Sequence, residues 1–81
     1  GDADDALSLT TMKELKATIA KNIDLLPEKE KLVISLYYTE EMTMKEIGQV
    51  LNITESRVSQ IHAQAIIHLR SKMRRDGMLE D

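Results

Sequence analysis

The stretch from Thr43 to Gln64, TMKEIGQVLNITESRVSQIHAQ, limits the fold more than any other part of the chain. Apolar residues fall at Ile47, Leu51, Ile53, Val58 and Ile61. Ile47 and Leu51 lie one turn apart and make a short helix face. Ile53 fills a corner, and Val58 and Ile61 bring a second helix back over the first. Gly48 follows the first apolar residue and leaves room for a close crossing. This pattern predicts a helix-turn-helix. The outward side of its second helix carries Glu55, Ser56, Arg57, Ser59 and Gln60, short polar groups suited to base edges in a DNA groove. An ordinary αα-hairpin in a small bundle is the plainer alternative on spacing alone.

The flanking sequence supplies the rest of an all-α, four-helix domain. A first helix is expected from Ser8 or Thr10 to Asn22, with Leu15, Ile19 and Ile23 as its apolar stripe and Met12 one turn earlier. Ser8, Thr10 and Thr11 are its candidate N-caps. Residues 1–7, acidic and small, are expected to fray. In LLPEKEKLVISLYY, Pro27 suits the first helical position, and Glu28 and Glu30 favour the positive end of the helix dipole. Leu32, Val33, Leu36 and Tyr37 share one face, with Ile34 and Tyr38 to its side. Thr39–Met42 is a short polar connection.

Thr43 and Glu46 form a T-x-x-E capping box for the third helix. Asn52 takes the corner, where its tolerance of the left-handed conformation substitutes for glycine. Thr54 caps a fourth helix whose apolar residues Val58, Ile61, Ala65 and Leu69 run on toward Arg75. Gly77 ends it, and residues 76–81 form a tail. The domain proper therefore spans 8–75, with no wing.

Composition agrees. The chain has 81 residues, one proline, three glycines and no cysteine, so amphipathic helices must build the core without disulfide or thiolate staples. No apolar run approaches the roughly 20 residues that cross a bilayer, and the acidic start has no signal-peptide pattern. A cytoplasmic location is expected. The net charge of −3 is low for a DNA binder. Its distribution is uneven: residues 1–53 hold six lysines against ten acids, whereas 57–75 holds Arg57, Arg70, Lys72, Arg74 and Arg75 and no acid. Weak intrinsic DNA affinity, and a need for a partner, are expected.

Individual residues admit more than one role. Glu55 can accept from a cytosine amino group or complement the helix dipole. Arg57 lies where side chains reach the groove, and Gln60 one turn on suits adenine. The N–H groups of Thr43, Met44 and Lys45 can hold a DNA phosphate, with Lys45 adding charge, or can form a plain helix start. Arg70 to Arg75 are phosphate contacts, a solvated end, or compensation for the dipole. His62 and His68 lack cysteine or carboxylate neighbours in sequence and the i, i+4 spacing of a metal pair. They are expected on the surface or groove edge, with no metal or cofactor. Tyr37 and Tyr38 are expected at the core and its edge. No glycine-rich phosphate loop or recognisable nucleophile motif supports an enzyme.

LPEKEKLVISLYY followed by MTMKEIGQVLNITESRVSQIHAQAIIHLR resembles region 4, the C-terminal domain of bacterial RNA polymerase sigma factors. The ESRVSQIHAQAI run is most similar to the flagellar and motility type. The resemblance covers about residues 26–72 and implies a domain that reads the −35 promoter element in the major groove. Matching positions for base or nearby phosphate contact are Glu55, Ser56, Arg57, Ser59 and Gln60, and Thr43, Met44 and Lys45 match the phosphate-holding start of the preceding helix. It also implies that apolar surface on the first two helices grips the flap tip of the polymerase β subunit, and that an anti-sigma factor can cover the same surfaces. Housekeeping sigma factors place arginine then glutamate where this chain has Glu55–Ser56, so their base preference does not transfer directly. Delivery by polymerase would explain the acidic balance, because a tether supplies effective concentration. The rivals are the helix-turn-helix output domain of a response or quorum-type regulator, acting as a dimer, and a protein-binding helical module.

Overall fold

Helix-forming residues dominate, and the few breakers fall where the chain turns. In the computed structural model, which describes the backbone of residues 2–77 and the side chains of residues 11–77, four α-helices follow one another: α1 (Asp2–Asp24), α2 (Glu28–Ile34), α3 (Met44–Leu51) and α4 (Glu55–Arg75). A π-helical turn, Ser35–Thr39, extends α2.

The first helix departs most from expectation. It starts at Asp2, so residues 2–7 are helical, and Ser8, Thr10 and Thr11 are interior positions instead of caps. Periodicity marks only the part of a helix that packs, and residues ahead of the stripe can extend the backbone ladder without it. Leu15, Ile19 and Ile23 are half-buried as the stripe requires, but Met12 is 49% exposed. The helix packs on α4. Its end is pinned by Asn22, which is buried and donates from Nδ2 to the Thr18 carbonyl and to Asp76 Oδ2, both at 2.9 Å. Asp76 is the residue at the C-cap of α4, so one side chain ties the ends of two helices together.

Pro27 takes the N-cap of α2, one residue before its expected place. Its extended ψ of 147° suits a cap, and its missing N–H is no loss there. Val33 and Ile34 are both buried, yet they enter different clusters. Val33 joins Ile47, Val58 and Ile61, with Leu36, Tyr37, Met42, Met44, Leu51 and Ile53 around them. Ile34 joins Leu26 and Ala65, flanked by Ile23 and Ile66. The helix therefore lies between the helix-turn-helix and the α1–α4 pair, and neighbours about 100° apart on its surface serve different sides. Ile34, expected to the side of the face, is in the core, and Leu32, expected on that face, is 42% exposed. Val33, Ile47 and Val58 are the largest fully buried side chains. Each contributes about 1.5–3 kcal/mol by leaving water.

Beyond Ile34 the chain takes wider i→i+5 hydrogen bonding, seen in Glu40 N donating to the Ser35 carbonyl at 3.2 Å. Within this turn Tyr38 is 56% exposed. Its ring stays edge-on to Tyr37, with centroids 4.8 Å apart, and its hydroxyl lies 2.8 Å from His62 Nε2 on α4. Glu41, at φ 56°, closes the connection before Thr43.

Candidate nucleic-acid interface

The helix-turn-helix is built from local chemistry that the sequence displays. Thr43 accepts from Glu46 N at 3.1 Å, and Glu46 Oε1 accepts from Thr43 N at 2.9 Å, a complete capping box. Thr43 holds the Glu46 pKa below its ordinary value, chiefly through its backbone N–H on the carboxylate and secondarily through its side chain. Asn52 closes α3 in the left-handed conformation, φ 58° and ψ 47°, with a cap N–H bonded to the Gly48 carbonyl. Thr54 opens α4, its Oγ1 accepting from Arg57 N at 3.0 Å.

Gly48 is where the two helices meet. It is buried, and a Cβ placed there would stand 2.7 Å from the Ile53 carbonyl oxygen, closer than any real side chain tolerates. The missing side chain lets the turn backbone lie directly on α3. The Ile53 N–H also donates to the Gly48 carbonyl at 2.9 Å. Beneath that crossing, Ile47, Val58 and Ile61 lock the helix pair.

Locked in this way, the first turns of α4 present Glu55, Ser56, Arg57, Ser59 and Gln60 to solvent, all exposed; Ser56, Ser59 and Gln60 point away from Val58 and Ile61, and Arg57 borders a shallow cleft beside Ile61. Arg57 Nη1 donates to Gln60 Oε1 at 3.2 Å, a link the sequence reading does not contain. At the start of α3, the N–H of Thr43 is spent on Glu46. Among the described residues, the backbone N–H groups of Met44 and Lys45 have no hydrogen-bond partner, as befits the first turn of a helix. Lys45 is exposed beside them.

Other features were invisible in the sequence because they join distant segments. His68 Nδ1 lies 2.8 Å from Glu30 Oε1, so this histidine does have a carboxylate neighbour, supplied by α2. An apolar cleft of about 340 Å³ opens between α1, α2 and α4, lined by Ile19, Ile23, Ile34, Tyr38, Ile66 and Leu69. Among the described residues no group of three His, Cys, Asp or Glu side chains could hold a metal, and no helix is long and apolar enough to cross a membrane.

A polar row on one helix, carried at a fixed crossing over a shorter capped helix, defines a helix-turn-helix domain of the DNA-binding class. The family model "Sigma-70, region 4" matches residues 23–71, and the chain belongs to that family. It is 56% identical over 59 residues to RNA polymerase sigma factor FliA of Escherichia coli strain K12, covering 73% of this chain and 25% of that protein. Identity to FliA of Yersinia enterocolitica is 51% over 63 residues, 78% of this chain and 27% of that protein. The RNA polymerase sigma-D factor of Bacillus subtilis strain 168 is 55% identical over 58 residues, 72% of this chain and 23% of that protein. The chain thus spans about a quarter of the length of the relatives it matches. The match starts slightly before the LPEKE segment and runs almost to the end of the basic helix, so it includes both flanks of the helix-turn-helix. It favours a sigma domain over a regulator output domain. Region 4 is a DNA-binding domain, not a catalytic one.

Proposed function

We propose that this domain reads the −35 promoter element and docks on the β-flap of RNA polymerase, directing initiation at motility and flagellar genes. The observation that carries the proposal is the exposed polar row Glu55, Ser56, Arg57, Ser59 and Gln60, fixed by the Gly48 crossing in a chain of this family. With α4 in the major groove, those side chains meet base edges. Thr43 fixes the start of α3 through its capping box. Met44 and Lys45 hold a backbone phosphate with their free N–H groups and the Lys45 ammonium. The charged Glu46 carboxylate is turned back onto Thr43, so its charge is partly satisfied within the helix start.

The apolar cleft between α1, α2 and α4 suits the flap tip, because it lies on the first two helices and leaves the polar row free. An anti-sigma factor occupying the same cleft or row would block promoter use. The names of the relatives, FliA and sigma-D, support the flagellar assignment. The place of action is the bacterial cytoplasm, on the nucleoid when polymerase is bound.

The test is a hybrid in which this chain replaces the matching segment of the Bacillus subtilis sigma-D factor, assembled with that organism's polymerase. Transcription from promoters of that factor, lost when the −35 element is scrambled, is the expected result. A hybrid that ignores the −35 sequence would overturn the promoter-reading assignment. A hybrid that fails to join the polymerase would overturn the docking assignment.

A further inference from the structure

The geometry points to Arg57 and Gln60 reading DNA as one coupled unit, with Gln60 positioning the arginine instead of pairing with adenine on its own. This inference rests on the groove-facing assignment made above. Arg57 stands in the first turn of α4, and its backbone is fixed by the Thr54 cap. Arg57 lines a shallow cleft together with Glu28 and Glu30. A guanidinium ordinarily takes a carboxylate fork when one is offered. Yet among the described residues Arg57 forms no ion pair, and its Nη1 donates to the neutral Gln60 amide oxygen. Glu30 is instead engaged with His68. The positive charge of Arg57 is therefore oriented but not neutralised.

The bond has a consequence for readout. A glutamine recognises adenine by accepting from N6 with its oxygen while donating to N7 with its amide nitrogen. Here the oxygen faces Arg57, so Gln60 offers the groove its NH₂ group. The remaining guanidinium N–H groups are donors as well. The coupled pair is thus a donor-rich edge: the Gln60 oxygen keeps a second lone pair, but the Arg57 guanidinium occupies the first and stands beside it. It favours acceptors in the major groove, guanine O6 and N7 or thymine O4, over the exocyclic amino group of adenine. Removing Arg57 frees the whole Gln60 amide for adenine.

The sigma-D hybrid tests this with Arg57→Ala, Gln60→Ala and the double variant, assayed on promoters in which every −35 base is varied in turn. Both residues are exposed, so unchanged melting curves confirm that the variants fold. Each single variant should lower use of the best promoter about tenfold or more, and the double variant should fall by about the same factor, not by the product. Arg57→Ala should also move the base preference at one position toward adenine. Multiplicative losses with no shift in preference would overturn the coupling while leaving both residues at the interface. No loss in any variant would overturn the interface assignment itself.

Discussion

Residue-scale features of the site follow from bonds between near neighbours, which is why the sequence displays them. The capping box needs only Thr43 and Glu46 three apart, and the corner needs a residue that accepts positive φ, which Asn52 does. Gly48 was legible as a small residue at a crossing, and the structure adds the reason: its absent Cβ would meet the Ile53 carbonyl at 2.7 Å. That contact is with backbone, which cannot swing aside as a flexible side-chain tip can. Gly48→Ala is therefore expected to lose about 1–3 kcal/mol of stability despite the better helix propensity of alanine, which is worth only about 1 kcal/mol. Urea unfolding of the two proteins measures the difference. A variant as stable as the parent would show that the turn can lift off α3 at no cost. What neighbours could not reveal was the donor inventory. The use of the Gln60 oxygen by Arg57 depends on side-chain placement that spacing leaves open.

At the scale of elements, the helices that bury a stripe were legible, as were the ends marked by a capping or breaking residue. Val58, Ile61 and Ala65 predicted the buried side of α4, and its end at Arg75 before a left-handed Gly77 came out as expected. The start of α1 and the π turn at Ser35–Thr39 escaped, because neither has a period of its own. The bond from Asn22 to Asp76 escaped too, since 54 residues separate its partners. It makes a prediction about α1 in particular. Asn22 is 3% exposed and satisfied by two acceptors, whereas Asp76 is exposed and can turn to water if it loses its partner. Asn22→Ala should then cost about 1–2 kcal/mol, the value of a part-buried hydrogen bond to a charged group together with some lost packing. Hydrogen exchange should quicken in α1 before it quickens in α3, whose contacts lie in the other cluster. Uniform acceleration across all four helices would mean that α1 does not open separately.

For the whole molecule, the charge pattern decides how the proposed interface can work. The chain carries −3 overall, and four of the five cations between residues 57 and 75 lie at 70–75, toward the far end of α4 from the polar row. The row itself holds Arg57 and Glu55, with Lys45, Glu41 and Glu46 in the same part of the chain. So few cations at the groove face release few counterions, and each neutralised phosphate adds only about −0.9 to the slope of log K against log salt. The isolated chain should therefore bind promoter DNA no more tightly than the range of about 10⁻⁴–10⁻⁶ M typical of non-specific binding at physiological salt. Its salt slope should be shallow, about −2, and Lys45→Ala should reduce that slope by about one. Fluorescence anisotropy of a labelled duplex across a salt series measures all three quantities. Carried on polymerase, the same domain meets its element at an effective concentration that reaches the millimolar range for short linkers, enough to occupy a site of that affinity. Nanomolar binding by the chain alone would break this argument at its base, because specificity could then no longer depend on delivery by a larger assembly.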